Sequence, residues 1–310
     1  MTNWSEAFRD RLQLLTELLP VVAQEMRFAL KGGTAINLFE HDLPRLSVDI
    51  DLTWLPIGDF ASDSRAIEEA LMSMAQALSK PPLRLNVSPS APQNANTVTR
   101  LIATRGRARV QIETTPVMRG TVHPVRVMRV QPTVRAEFGF AEMQVLDFND
   151  LYAGKLAAAL TRQNPRDLFD VGVLLYEGRF DEALWRTFLV YLTASPKPAW
   201  EILEPAEPKD FEKSFRTLFD GMTAKPTSAE ALLEARRQLL ARIPALLDDA
   251  SRAFLESVER ELPDFGLIGL AHAADLPGVK RKLQNLAQRS DAKREADQRQ
   301  LSETLERIGR

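Results

Sequence analysis

Residues 46–53 read Leu-Ser-Val-Asp-Ile-Asp-Leu-Thr, an unbroken alternation of apolar and polar side chains. Side chains alternate across a strand, so Leu46, Val48, Ile50 and Leu52 face one side, and Ser47, Asp49, Asp51 and Thr53 the other. Such a segment needs a sheet with one buried face and one polar working face. On that polar face the α-carbons of Asp49 and Asp51 lie about 6–7 Å apart. Two carboxylates about 5 Å apart repel by about 3 kcal/mol at an effective dielectric of about 20. Two settings relieve this: a solvated strand edge with paired surface acids, or a divalent cation, for which hard oxygen ligands favour Mg²⁺.

Two further stretches bear on that choice. In "RARVQIETT", Val110 and Ile112 face one way and Arg107, Arg109, Gln111 and Glu113 the other. If this strand lies beside 47–53, Glu113 is a third carboxylate. Three carboxylates on adjacent strands can hold two Mg²⁺ ions about 3.5–4 Å apart, the arrangement used in phosphoryl and nucleotidyl transfer. Upstream, "RFALKGG" reads as a short strand running into glycines, and Gly-Gly-Thr at 32–34 opens a helix. Backbone N–H groups at a helix start form a phosphate site, and glycine lets phosphate oxygens come close. Taken alone, Gly-Gly-Thr is equally a tight turn, and the P-loop pattern is absent.

Around these motifs, 5–24 reads as an amphipathic helix with Ser5 as its cap, and "TAINLFEHD" as a helix ending before Pro44. A helix is expected over 62–79, strands in "LRLNVS" and "TVTRLIATR", and strand and loop through 116–140. "FNDLYAGKLAAALTRQ" and "PRDLFDVGVLLYEG" are helices, the second with Pro165 in its first turn and Gly178 at its end. After about 180 strand signals stop. The expected division is an α/β domain over 1–145 and a helical domain over 146–310. The last thirty residues, rich in charges of both signs, read as a solvated or frayed helix.

The 310 residues hold no cysteine, so disulfides and thiolate metal sites are excluded. His41, His123 and His272 show no ligand spacing. No signal-like N-terminus or long apolar run is present, so a cytoplasmic protein with no membrane partner is expected. No heptad seam persists, which favours a monomer.

The combined pattern, "KGGTA" at 31–35 and "RLSVDID" at 45–51, with Lys155, "RDLFD" at 166–170 and "KLQNL" at 282–286, resembles the AbiEii/AbiGii toxin family of DNA polymerase β-like nucleotidyltransferases. Arg281 departs from it, where a tryptophan is expected. The resemblance implies an α+β fold: a polymerase β-like nucleotidyltransferase domain, a small mixed sheet with flanking helices, then an α-helical C-terminal domain completing the active-site cleft. It implies nucleotide binding by Lys31, Gly32, Gly33, Thr34, Ser47 and Lys155. Asp49, Asp51 and Glu113 would be the catalytic carboxylates and ligands of Mg²⁺, with two ions and an NTP substrate. Lys155 would neutralise the triphosphate, and Asp167 rather than Asp170 would be the second-helix acid, orienting Lys155 or the nucleotide. Read without the resemblance, Lys155 is a solvated or snorkelling lysine, and Arg166, Asp167 and Asp170 a capping cluster.

Residues 100–135 carry eight arginines against Glu113 alone. A phosphate-rich acceptor needs such a surface, and the resemblance points to a tRNA 3′ end. The same arginines could instead hold NTP phosphates or pair with acids. The expected function is a Mg²⁺-dependent transfer of NMP to tRNA by an abortive-infection or toxin–antitoxin toxin with a cognate antitoxin, blocking translation. A protein or small-molecule acceptor, or a non-catalytic RNA- or protein-binding module, are the alternatives.

Overall fold

The computed structural model describes residues 4–92 and 97–309; Met1–Asn3, part of the stretch inspected for a leader, lie outside the described residues. Strands β1 (Phe28–Lys31), β2 (Asp49–Trp54), β3 (Asn86–Ser90), β4 (Arg100–Arg105), β5 (Ala108–Thr114), β6 (Arg126–Arg129) and β7 (Glu142–Val145) form one sheet in the order β3-β4-β5-β2-β1-β7-β6. It is mixed: β2 runs parallel to β5 and β1 parallel to β7, and the other neighbours are antiparallel. The helices are α1 (Glu6–Val22), α2 (Gly32–Ala35), α3 (Phe60–Ser79), α4 (Pro132–Phe138), α5 (Phe148–Thr161), α6 (Pro165–Tyr176) and α7 (Glu182–Thr193). They continue as α8 (Ala199–Leu203), α9 (Phe211–Leu218), α10 (Ala229–Leu246), α11 (Asp249–Glu259), α12 (Pro277–Ala287) and α13 (Asp291–Ile308). The α+β class expected from sequence is what the chain adopts.

Two compact units result. The first takes residues to Leu151 together with Gly221–Pro226, and the second takes Tyr152–Asp220 with Thr227–Arg310. In the first unit the alternation decides which face is covered. Ile50, Leu52, Leu101, Val110 and Ile112 are fully buried, while α1 packs on β5 and β7, and α3 on β3 and β4. The helix α1 supplies a stripe of Leu12, Leu15, Leu18, Leu19 and Val22, the spacing of a helix with one face in a core. Asp49, Asp51, Gln111 and Glu113, on the alternate positions, keep partial exposure.

In the second unit side-chain caps set where helices begin. Asn164 accepts from the Arg166 N–H before α6, Asp181 from Leu184 before α7, and Asp248 from Ser251 before α11. Each satisfies a backbone donor that the helix itself leaves unpaired. Inside, α6 packs on α10 and α9, and α11 on α13 and α7. Pro165 opens α6, and Gly178, with φ +67°, follows its end, as the sequence suggests.

Several expectations change. The 116–140 stretch holds a helix, α4, opened by Pro132 and followed by Gly139 at φ +109°. "TAINLFEHD" is not one α-helix: α2 passes into a π-helix over Ile36–Glu40, closed by the His41 N–H bonding the Ile36 carbonyl at 2.9 Å. Ser5 precedes α1, but its side chain makes no cap bond; the Phe8 and Arg9 N–H groups bond its carbonyl instead. The C-terminal stretch is not frayed. It folds as α12 and α13, with Leu301, Thr304 and Leu305 buried, and Arg289 joins Glu259 at 2.7 Å and Asp297 at 2.9 Å. The mixed charges that suggested solvation are partly a buried ion-pair network. Among the described residues no helix is long and apolar enough to cross a membrane.

Candidate active site

Strand pairing lines up four charged residues. Lys31 pairs with Asp51 across β1–β2, Asp51 with Glu113 across β2–β5, and Glu113 with Arg100 across β5–β4. Directly paired residues share a face, so two acids lie between two bases in one row. The adjoining row pairs Asp49 with Gln111. Arg100 approaches Glu113 at 3.2 Å, and the Gln111 amide donates to it at 2.6 Å. Burial pushes the Lys31 ammonium below the usual lysine pKa, while Asp51 and Glu113 pull it back only in part.

The glycines are required where they stand. Gly32 adopts φ +73°, and a β-carbon there would lie 2.5 Å from Asp51 Oδ2. A β-carbon on Gly33 would lie 2.8 Å from Ser47 Oγ and 2.9 Å from Arg45 Nη2. Thr34, fully buried, bonds the Ser47 hydroxyl at 3.0 Å and donates to the Asp49 carbonyl. The glycine turn and the Asp-x-Asp strand are therefore one packed unit. Segment 221–226 is tied to the residues just before Ser47: the Leu46 N–H donates to the Met222 carbonyl at 2.8 Å, and the Ala224 N–H to the Pro44 carbonyl at 2.9 Å.

The all-oxygen donor set of Asp49, Asp51 and Glu113, on one face and flanked by cations, suits Mg²⁺. Among the described residues, though, the group with ligand atoms drawn within 4.8 Å of one another is a different one, His123, Asp147 and Asp150. Sequence reasoning missed it, because His123 shows no local ligand spacing. Its carboxylates already have structural work. The two Asp150 oxygens accept the Val122 and His123 N–H groups at 2.8 and 2.9 Å. Asp147 caps α5 through the Asn149 N–H at 2.8 Å. Glu113, by contrast, is turned toward Gln111 and Arg100.

The helical unit holds the other expected residues. Lys155 is 7% exposed, so it is not a snorkelling surface lysine. Its ammonium lies 2.8 Å from Asp167 and 3.0 Å from Asp170, and Arg162 reaches Asp167 at 2.6 Å. Burial opposes the charge on Asp167, but Lys155 and Arg162 outweigh it and hold the carboxyl well below its usual range. Asp167 and Asp170 both engage Lys155, so contact alone does not separate them. Lys282 of "KLQNL" donates to the Ser195 and Lys197 carbonyls at 2.8 Å each, a structural tie at the end of α7.

The arginine-rich stretch is largely ion-paired. Arg105 joins Glu17, Arg107 joins Glu6 and Asp10, and Arg119 joins Asp63 in a buried pair. Arg126 joins Glu40 and Asp147, and Arg129 joins Glu142. Arg135 lies over the Phe140 ring.

Comparison with curated protein sequences gives no match. Among solved structures the chain is similar to MenT4, a nucleotidyltransferase toxin from Mycobacterium tuberculosis H37Rv. The TM-score is 0.61 at 18% identity, over 91% of this chain and 94% of that one, which is a likeness of fold. The family model described as nucleotidyl transferase AbiEii toxin, type IV toxin–antitoxin system, matches residues 13–285. With the match running through the glycine turn, the Asp-x-Asp strand and the Lys155 helix, the chain belongs to the AbiEii nucleotidyltransferase toxin family of type IV toxin–antitoxin systems.

Proposed function

We propose that the chain transfers NMP from an NTP to an RNA acceptor, a tRNA 3′ end, and so blocks translation in the cytoplasm, held in check by a cognate antitoxin. The observation that carries this is the paired row of Lys31, Asp51, Glu113 and Arg100, with Asp49 beside it and the glycine turn packed against both. In the reaction an acceptor hydroxyl oxygen bonds to the α-phosphorus, the bond from that phosphorus to the bridging oxygen breaks, and pyrophosphate leaves.

Gly32, Gly33 and Thr34 offer backbone donors to triphosphate oxygens, with the Ser47 hydroxyl beside them. Lys31 adds a cation next to Asp51. Asp49 and Asp51 are the residues that would hold Mg²⁺, with Glu113 completing the set. Bound there, Mg²⁺ would neutralise triphosphate charge and acidify the acceptor hydroxyl. Glu113, held by Arg100 and Gln111, would take the hydroxyl proton. In the helical unit we give Lys155 the task of balancing triphosphate charge, with Asp167 fixing its ammonium.

The test is label transfer from each α-labelled NTP to total tRNA with Mg²⁺, wild type beside Asp49→Ala. Labelled tRNA from the wild type alone is the expected result, with a loss of at least about 100-fold in the variant. Label on a protein or small molecule instead would overturn the RNA acceptor. No label on any acceptor would leave a binding module as the better reading.

A further inference from the structure

The face that carries the carboxylates continues outward over β5, β4 and β3. Cross-strand pairing arranges it in three rows: Glu113, Arg100 and Ser90; Gln111, Ile102 and Ser88; Arg109, Thr104 and Asn86. None of these nine side chains is buried. The intervening Leu101, Ala103, Val110 and Ile112 are buried on the opposite face, where α1 and α3 pack. The first row adjoins Asp51 and the second adjoins Asp49.

An antiparallel sheet can leave one face to water, so exposure alone carries nothing. Two further observations do. The rows are continuous with the candidate active site through direct strand pairing. And of the eight arginines in 100–135, Arg109 is the one on this face with no hydrogen bond or ion pair among the described residues, whereas Arg100 is taken by Glu113. Arg109 precedes Glu113 by four positions on the same strand, which sets it about 13 Å from the carboxylate row. An unneutralised guanidinium at that remove suits a phosphodiester upstream of the reacting end. The amides and hydroxyls of Gln111, Thr104, Asn86 and Ser88 suit 2′-hydroxyls and base edges. No aromatic ring among the nine is available for base stacking.

We infer that this open face is the docking platform for the acceptor, a single-stranded RNA segment that crosses β3–β5 and is anchored by a phosphate on Arg109. This rests on the RNA reading above and narrows it from an arginine-rich surface to one arginine and one sheet face.

The experiment measures tRNA binding against salt, and label transfer, for wild type, Arg109→Ala, Arg109→Glu and Ser88→Lys. Arg135→Glu is the control. Arg135 is also exposed and has no carboxylate partner among the described residues, but it sits on α4, after the edge strand β6. The expected result is an acceptor KM raised about five- to tenfold in Arg109→Ala, and more in Arg109→Glu. The slope of log affinity against log salt should shrink by about 0.7 for the lost phosphate contact. NTP binding should not change, and Ser88→Lys should tighten the acceptor. Labelled tRNA with Arg109→Glu equal to wild type, or no worse than Arg135→Glu, overturns the platform and leaves the RNA reading standing. If the wild type labels only a protein or small molecule, both fall together.

Discussion

Asp49 and Asp51 are tolerated at neighbouring same-face positions because Lys31 stands beside Asp51 and Arg100 stands beyond Glu113. The glycine turn has no such latitude. In Gly33→Ala the new methyl would meet Ser47 Oγ at 2.8 Å and Arg45 Nη2 at 2.9 Å, so the turn or Ser47 must move. NTP affinity should fall at least about tenfold with the fold retained, read as a lost thermal shift on adding NTP and Mg²⁺. Asp167 makes a different kind of claim. Its carboxyl is depressed in the folded state, so its stabilisation is complete above the ordinary carboxylate pKa of 3.8 and is lost as pH falls below that value. Asp167→Asn leaves the buried Lys155 with one acid fewer and should cost about 3 kcal/mol at neutral pH. In urea titrations the gap to wild type should narrow below about pH 4. A gap that stays constant down to acid pH would contradict the assignment.

At the scale of elements, caps were partly legible and partly not. Pro165 and Gly178 bound α6 through local backbone chemistry, and both positions could be read from the chain. Ser5 could not, since a capping side chain must also find the right rotamer, and here the backbone carbonyl does the work. Asp248 caps α11 through the Ser251 N–H at 2.8 Å and also pairs with Arg186. The Arg186 guanidinium pushes its carboxyl down to about 2. Asp248→Ala should cost about 1 kcal/mol by urea denaturation at neutral pH. The difference should fade as pH falls from 3.8 through about 2, because the depressed group gives its stability only above that window. The π-helix over Ile36–Glu40 was hidden for another reason. Its sequence is helical in pattern, and an apolar period does not distinguish an i→i+5 turn from an i→i+4 one.

Across the whole molecule, the return of Gly221–Pro226 to the first unit is the feature no periodicity announces. Its two backbone bonds to residues 44–46 hold the approach to Ser47 and Asp49. Ala224→Pro removes the N–H that bonds Pro44, and should weaken NTP binding several-fold while the far-ultraviolet circular dichroism stays that of the wild type. Unchanged NTP affinity would show that the clip is dispensable. The arginine-rich stretch is the opposite case. Eight arginines were plain in the sequence, yet most meet acids brought from α1, α3 and other distant segments, so composition overstated the free positive charge. The sequence by itself determined which side chains share a strand face, because the pleat is a property of the local backbone. It also determined the glycine turn and the carboxylate alternation that carry the family pattern. Only the tertiary structure decided that β5 lies beside β2 with Glu113 level with Asp51, that Lys155 is buried between two aspartates, and that Arg109 stands exposed with no ion pair among the described residues. Register and ion pairing depend on contacts between segments far apart in the chain, and a periodicity read along one segment carries no information about its neighbour.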